Sequence, residues 1–277
     1  METLKLLTDF YSNYDEEGRL LSKHGRVEFL TTMRYIEKYI KPGMRILEIG
    51  AATGRYSHTL ARMGYRVDAV ELVQHNIEIF NTLTQPGEDV TIRQGNAKDL
   101  GFFNDGTFDM TLLLGPMYHL FTVEEQLQAL SEAIRVTKKN GVIMAAYCGN
   151  DATMVQYCFG RGMLRERRYQ ELVDMETFKA SSDPAELFEL YRIEDIDALM
   201  SHFCTERLHF VGTDMATNYM RSCIDDMDED FFELYLKYHF SICERADMVG
   251  VSHHFLDVFR KDCPCTIGKT VLEYQNE

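Results

Sequence analysis

The chain has 277 residues, 45% of them hydrophobic, and a formal net charge of −15; these values are typical of a globular protein with one large or two small domains. Nucleic-acid binders usually carry a basic face, so this charge argues against a nucleic-acid partner and favours neutral or cationic small molecules. No stretch approaches roughly 18 consecutive apolar residues, so we expect no membrane span.

The N-terminal segment is acidic and lacks the apolar core of a secretory leader, and seven scattered cysteines do not form a disulfide framework. We therefore expect a cytoplasmic protein. Phe29, Met33, Ile36 and Ile40 recur at three- and four-residue intervals, which predicts an amphipathic helix that ends at residues 41–43, Lys-Pro-Gly.

A strand, a turn and a helix follow. The apolar run Arg45 to Ile49 predicts a buried strand, and residues 50–54 are small, so a ligand can approach their backbone closely. A helical pattern begins after the turn. This arrangement directs backbone N–H groups and a helix N-terminus at a nucleotide.

The second predicted strand, Tyr65 to Leu72, carries Glu71 near its end, where a carboxylate suits the hydroxyls of an adenosine ribose. The dinucleotide fingerprint G-x-G-x-x-G is absent, because counting from Gly50 its second and third glycine positions hold Ala52 and Arg55. The loop spacing therefore argues against NAD.

The same order of strand, loop and helix continues along the chain and predicts an α/β fold with a parallel sheet. Further strands are predicted at 90–93, 108–114, 142–147, 208–212 and 254–260, and a helix over 127–136 with its stop at 138–141.

Three segments resemble the class I S-adenosylmethionine-dependent methyltransferases. The run Glu48-x-Gly50-x-Ala52-x-Gly54 is similar to their motif I, with Ala52 at the middle glycine. Residues 95–100, GNAKDL, resemble the segment that reads the adenine edge, and residues 115–120, GPMYHL, resemble motif IV of a bacterial small-molecule-type subgroup. Residues 239–250 resemble a segment of the same subgroup.

The resemblance implies a Rossmann-like, doubly wound, seven-stranded sheet whose last strand is antiparallel. It implies a helical N-terminal cap (1–42), a cofactor-binding core (43–148), a substrate lid inserted between strands five and six (149–202), and a segment that completes the sheet with inserted helices (203–277).

The implied cofactor is S-adenosylmethionine. The residues expected to contact it are Tyr14, Arg19, Glu48, Gly50, Ala51, Ala52, Thr53, Gly54, Arg55, Tyr56, Glu71, Leu72, Asn96, Ala97, Leu114 and Gly115. No metal is expected, because the two thiols of Cys263 and Cys265 are interpreted as solvated.

Methyl transfer requires a base only when the nucleophile must lose a proton. Tyr118 and His119 follow strand four, where the resemblance places the methyl group, so both are candidate catalytic residues. His119 is the candidate base; alternatively it binds the lid or a backbone carbonyl. His253 and His254 are interpreted as sheet-edge or core residues.

The leading hypothesis is a methyltransferase that acts on a small molecule at O, N or S. One alternative is a protein or RNA methyltransferase, which would need an open groove or a basic patch. Another is an inactive, cofactor-binding regulatory protein. The sequence reveals neither the methyl acceptor nor the oligomeric state.

Overall fold

A computed structural model describes residues 2–11, 18 and 21–261. Its α-helices are α1 (Glu2–Tyr11), α2 (Lys23–Tyr39), α3 (Arg55–Arg62), α4 (Gln74–Leu83), α5 (Val123–Val136), α6 (Asn150–Thr153), α7 (Arg167–Glu171), α8 (Ile193–Met200), α9 (Arg221–Asp225) and α10 (Glu229–Ile242). Its strands are β1 (Arg45–Ile49), β2 (Arg66–Glu71), β3 (Val90–Gln94), β4 (Phe108–Leu113), β5 (Thr137–Gly149), β6 (Leu190–Tyr191), β7 (Thr205–Gly212) and β8 (His254–Lys261).

The main path of the sheet runs β3-β2-β1-β4-β5-β8-β7. The first five strands of this path are parallel, and β8 is antiparallel to both β5 and β7. The predicted doubly wound sheet with an antiparallel last strand is therefore confirmed.

The structure corrects the sequence prediction at three places. An eighth strand, β6, pairs with the end of β5 from within the segment predicted to be a lid. The segment 138–141 belongs to β5 instead of ending a helix, and the β4–β5 register shifts there. Strand β7 begins at Thr205, three residues before the predicted start.

Apolar side chains cover both faces of the sheet, as expected for parallel strands between two helical layers. On one face, α5 and α8 contribute Leu130, Ile134 and Ile196 to a buried cluster. On the other face, α2 and α3 contribute Ile36 and Leu60. The helices thereby hold the strand ends in fixed positions.

The chain direction around the sheet reverses between β1 and β4, which are neighbours in the middle of the sheet. Ligands of open α/β sheets bind in the crevice outside the carboxyl ends of the strands at such a reversal. Within the described part of the chain, no helix combines the length and apolar character needed to cross a membrane.

Candidate functional site

A cavity of about 420 Å³ lies at the carboxyl ends of β1, β2 and β4. We call it the strand-end cavity. The residues predicted from the sequence that line it are Glu48, Gly50, Ala51, Ala52, Thr53, Arg55, Tyr56, Glu71, Leu72, Asn96, Ala97, Leu114, Gly115, Tyr118 and His119.

Three of the predicted site residues are not among those that line the cavity. Gly54 does not line the cavity. It has a φ of +92°, and a Cβ there would lie 2.5 Å from the ring of Phe80, so Gly54 allows the turn and the close packing beneath it. Tyr14 and Arg19 lie outside the described residues.

The loop after β1 is held in place by its own backbone and by β2. Gly50 and Ala52 both have positive φ, +77° and +47°. The Gly50 and Ala51 N–H groups donate to the carbonyl of Val70 at 2.8 and 3.1 Å. Because the side chains of this loop are small, its backbone forms this part of the cavity wall.

Glu71 connects this loop to the end of β2. Its carboxylate accepts hydrogen bonds from the N–H of Ala52 at 2.8 Å and of Val73 at 2.9 Å, and from the amide of Asn76 at 3.4 Å. Burial raises the pKa of Glu71, although these donors lower it. Oε1 accepts from Val73 and Asn76, whereas Oε2 accepts from Ala52 and retains one acceptor position. Glu71 can therefore fix the loop and also bind a ligand hydroxyl.

Glu48 points from the end of β1 towards the start of α3, where it accepts a hydrogen bond from the hydroxyl of Ser57. Burial raises the pKa of Glu48 to about 8, and the charge of Glu71 adds to the effect. The side chain is 2% exposed. This geometry fits a residue that orients the loop.

Arg55, the first residue of α3, leaves a buried polar atom unsatisfied. Its Nε finds no hydrogen-bond partner among the described residues, and its guanidinium lies 4.7 Å from the ring centroid of Phe29. A buried donor without a partner is costly, so this atom fits a carboxylate of a bound ligand.

Asn96 lies in the turn after β3. Its Oδ1 accepts a hydrogen bond from the N–H of Lys98 at 3.0 Å and retains one acceptor position. Lys98 and Glu125 form an ion pair at the cavity wall. The sequence analysis did not select either partner, since the two lie on a loop and a separate helix.

His119 makes two hydrogen bonds. Its Nδ1 lies 2.8 Å from the carbonyl oxygen of Leu187, and its Nε2 lies 2.8 Å from the hydroxyl of Tyr11. A carbonyl only accepts, so Nδ1 carries the proton and Nε2 accepts from Tyr11. Burial lowers the pKa of His119 to about 4. This geometry places His119 in contact with a backbone carbonyl of the segment 149–202.

Tyr118 donates its hydroxyl to the carbonyl of Leu114 at 3.0 Å, and its ring lies 4.9 Å from that of His119. The cavity is also lined by residues that the sequence analysis did not select for the site: Leu7, Tyr11, Ile49, Val70, Val73, Asn76, Gly95, Lys98, Pro116, Leu120 and Glu125. Leu7 and Tyr11 belong to α1, which thus covers part of the cavity.

A second cavity of about 760 Å³ shares Tyr11 and Tyr118 with the first. We call it the lid cavity, because half of its lining residues come from 149–202. Its wall includes a π-helical turn, Met154–Phe159, a rare conformation that is frequent at functional sites. His253 and His254 also line it, so they are not simply edge or core residues.

A buried charge cluster lies in the wall of the lid cavity. His254 Nδ1 is 2.7 Å from an Asp214 carboxylate oxygen and 3.5 Å from one of Glu28. Although burial opposes it, Glu28 and Asp214 raise the pKa of His254 well above its usual value. Asp214 also accepts from Ser252 Oγ at 2.6 Å. The cluster is therefore an ion triad with a charged imidazolium.

Comparisons with known proteins identify the domain that contains the strand-end cavity. Residues 47–145 match a family model described as "Methyltransferase domain". A ubiquinone biosynthesis O-methyltransferase of Methylocella silvestris is 30% identical over 128 residues, 46% of this chain and 48% of that protein. A cypemycin N-terminal methyltransferase of Streptomyces is 28% identical over 158 residues, 53% of this chain and 61% of that protein. The chain thus spans about half the length of these curated relatives.

Solved structures show the same fold. An S-adenosylmethionine-dependent methyltransferase of Methanosarcina mazei superimposes with a TM-score of 0.54 at 17% identity, covering 82% of this chain and 96% of that one. The family match over residues 47–145 is to a methyltransferase domain, and this likeness shows that the chain shares the fold of a protein that uses S-adenosylmethionine.

The residues of the strand-end cavity fit this cofactor. It carries a carboxylate, an ammonium group, a sulfonium, a ribose and an adenine. The unsatisfied Nε of Arg55 matches the carboxylate, and Glu71 presents a charged acceptor at the end of β2. The carbonyl of Leu114, which accepts from Tyr118, retains a position for the ammonium group.

Proposed function

We propose that this chain, which carries a class I S-adenosylmethionine-dependent methyltransferase domain, transfers a methyl group to a small molecule at O, N or S. The observation that carries the proposal is the pair of adjoining cavities. One has the residues for the cofactor, and the other is bounded by the insertion and meets it at Tyr11 and Tyr118.

In this proposal the core residues hold the cofactor. Arg55 and the N-terminus of α3 bind its carboxylate, Glu71 its ribose hydroxyls, and the turn at Asn96 and Ala97 its adenine. The carbonyl of Leu114 receives its ammonium group. Bound there, the cofactor supplies an electrophilic methyl group.

The chain itself contributes position and exclusion of water. Tyr11 and His119 connect α1 to the loop after β4, and His119 connects that loop to Leu187 in the insertion. These contacts lie where the two cavities meet, and there they would fix the alignment on which a displacement depends. We assign His119 a positioning role, because its Nε2 is already occupied and its pKa is about 4.

The shape and charge of the site support a small acceptor over a protein or RNA. The lid cavity is bounded by α2, the insertion and β8, and the net charge of −15 disfavours a polyanion. We further propose that residues 149–202 act as the substrate lid and that the protein works in the cytoplasm.

Calorimetry tests cofactor binding directly. The protein should bind S-adenosylmethionine and S-adenosylhomocysteine and should not bind NAD. Binding of NAD without binding of S-adenosylhomocysteine would contradict the assignment of the cavity.

A turnover assay separates an active enzyme from an inactive cofactor-binding protein. The purified protein should convert S-adenosylmethionine to S-adenosylhomocysteine when it is supplied with small-molecule pools. Conversion with protein or RNA fractions but not with small molecules would favour the first alternative. Tight cofactor binding without conversion in any pool would favour the second.

A further inference from the structure

The lid cavity has an apolar part and a polar part. Apolar side chains from the insertion line one part: Met154, Cys158, Met163, Leu172, Val173 and Phe188. The residues at the start of α9 and at the start of β8 line the other, with Arg221, His253 and His254 among them. An occupant that satisfies both parts is amphipathic.

Arg221 presents to this cavity a positive charge that has no ion-pair partner among the described residues. Its Nε donates to Asn218 Oδ1 at 2.9 Å, and one Nη donates to the hydroxyl of Tyr157 at 3.3 Å. Both partners are neutral. Among the described residues, no carboxylate lies within ion-pair distance of Arg221, and its other Nη has no hydrogen-bond partner.

His253 lines the same part of the cavity, where its ring packs against Tyr157 and Tyr219. The side chain is 6% exposed, and neither ring nitrogen has a hydrogen-bond partner among residues 2–11, 18 and 21–261. Its backbone is fixed, because its N–H donates to Asp214 and its carbonyl accepts from Gly149. Two unsatisfied nitrogens on a fixed, buried ring indicate a missing polar partner.

The carboxylates of the polar part already face a cation other than Arg221. The imidazolium of His254 lies between the carboxylates of Asp214 and Glu28. Burial lowers the pKa of His253 to about 4, and the charges of His254 and Arg221 contribute to the lowering. His253 is therefore neutral at pH 7 and can donate one hydrogen bond to an anion. The Arg221 guanidinium is the cation in this part that has no ion-pair partner among the described residues.

We propose that the lid cavity binds an amphipathic small molecule through a carboxylate that Arg221 and His253 hold. An arginine recognises a carboxylate through paired N–H groups, and hydrogen bonds to a charged acceptor are the stronger class. The apolar body of the molecule lies among the side chains of the insertion. The proposal rests on the proposed function, in which this cavity holds the methyl acceptor.

Two other carboxylates line the cavity, and they do not favour a cationic ligand. Asp183 accepts a hydrogen bond from the N–H of Ala185 as the N-cap of a short turn. Glu186 is exposed to solvent. An ammonium ligand would therefore replace solvent at these groups and leave Arg221 and His253 unsatisfied.

Three probes of equal shape test the proposal: 4-phenylbutanoate, 4-phenylbutan-1-ol and 4-phenylbutylamine. Each is titrated into the protein by calorimetry, with and without S-adenosylhomocysteine. We expect the carboxylate to bind at least tenfold more tightly than the other two. No binding of the carboxylate, or tighter binding of the amine, would overturn the proposal.

Variants locate the contact. Arg221→Gln should weaken carboxylate binding roughly 10- to 100-fold and leave alcohol binding unchanged. Arg221→Lys keeps the charge but lacks the paired N–H groups of the guanidinium, so it should cause a smaller loss of carboxylate affinity. The control Arg66→Gln removes an equal charge from an exposed residue of β2 that lines neither cavity. Carboxylate affinity that Arg221→Gln leaves unchanged would refute the assignment.

Binding of S-adenosylhomocysteine distinguishes a failure of this inference from a failure of the proposed function. Affinity for S-adenosylhomocysteine reports on the strand-end cavity and should survive in every Arg221 variant. Failure to bind S-adenosylhomocysteine would contradict the cofactor assignment alone. Loss of carboxylate selectivity with normal cofactor binding would contradict the further inference alone. If Arg221→Gln does not fold, the affinities of the three probes for the wild-type protein still test whether the lid cavity prefers a carboxylate.

Discussion

Replacing Tyr11 by Phe removes one hydroxyl and with it the 2.8 Å hydrogen bond to His119 Nε2. A bond between neutral groups contributes about 0.5–1.5 kcal/mol net. Because α1 covers the strand-end cavity through Leu7 and Tyr11, weaker attachment of α1 should reduce ligand affinity. At about 1.4 kcal/mol per tenfold, Tyr11→Phe should weaken S-adenosylhomocysteine binding roughly 2- to 10-fold.

His119→Ala should cause a larger loss of affinity, because it removes the bonds to Tyr11 and to the Leu187 carbonyl together. It should not remove a pH dependence near neutrality. The pKa of His119 is lowered to about 4 by burial, so the ring stays neutral from pH 6 to pH 9. A general base would behave differently, with a rate loss on the order of 10²–10⁴-fold.

Calorimetry with S-adenosylhomocysteine measures the affinities, and methyl transfer across pH 6–9 measures the base role once an acceptor is known. Tyr39→Phe is a matched control, because Tyr39 makes the same kind of bond to His209 Nε2, 2.7 Å, outside both cavities. A wild-type ionisation near pH 6.5 that disappears in His119→Ala would refute the positioning role. Normal affinity in Tyr11→Phe would refute the role of α1.

Three further changes probe the strand-end cavity. Glu71→Gln should lower the free energy of unfolding by about 1–3 kcal/mol, because the single amide oxygen cannot accept from both backbone N–H groups. It should also weaken S-adenosylhomocysteine binding. Chemical denaturation measures the first effect and calorimetry the second, with exposed Glu78→Gln as the control. Gly50→Ala should destabilise the fold by about 1–3 kcal/mol more than Gly64→Ala, because both have positive φ but only the Cβ at Gly50 meets a proline ring, at 2.6 Å. Equal losses in thermal denaturation would contradict that packing. Glu48→Gln should flatten the dependence of stability on pH: burial raises the folded pKa of Glu48 to about 8, so the wild type loses stability as pH rises from about 4.5 to 8. An unchanged pH profile in denaturant titrations would show that Glu48 does not titrate as described.

The sequence predicted the sheet well because its signals are local. Buried strands of a parallel sheet are short apolar runs, and β1 and β4 were found within one residue of their bounds. Strand β6 was missed, because two residues carry no periodicity and depend on their pairing with β5. The helix ends at Val136 as predicted, but residues 138–141 belong to β5, which continues through a positive φ at Asn140.

The parts of the strand-end cavity that depend on local sequence were predictable, and the contacts between distant segments were not. Motif spacing identifies the loop after β1 and the carboxylate of Glu71, which lie within one strand–helix–strand unit. The contact between Tyr11 and His119 joins residues 108 positions apart, and no periodicity signals it. His253 was interpreted as a sheet-edge or core residue, because a single sequence does not show that both of its ring nitrogens lack a partner among the described residues.

The net charge disfavours anions, whereas the lid cavity is proposed to bind a carboxylate. The two statements are compatible because they concern different distances from the protein. A charge of −15 over the whole protein acts at long range, where it disfavours anions and large polyanions. Salt screens that field beyond roughly 8–10 Å. At contact, inside a partly buried cavity, the nearest groups dominate, and there Arg221 and neutral His253 lack an anionic partner. An acidic protein can therefore reject nucleic acid at its surface and still select a small carboxylate within the lid cavity.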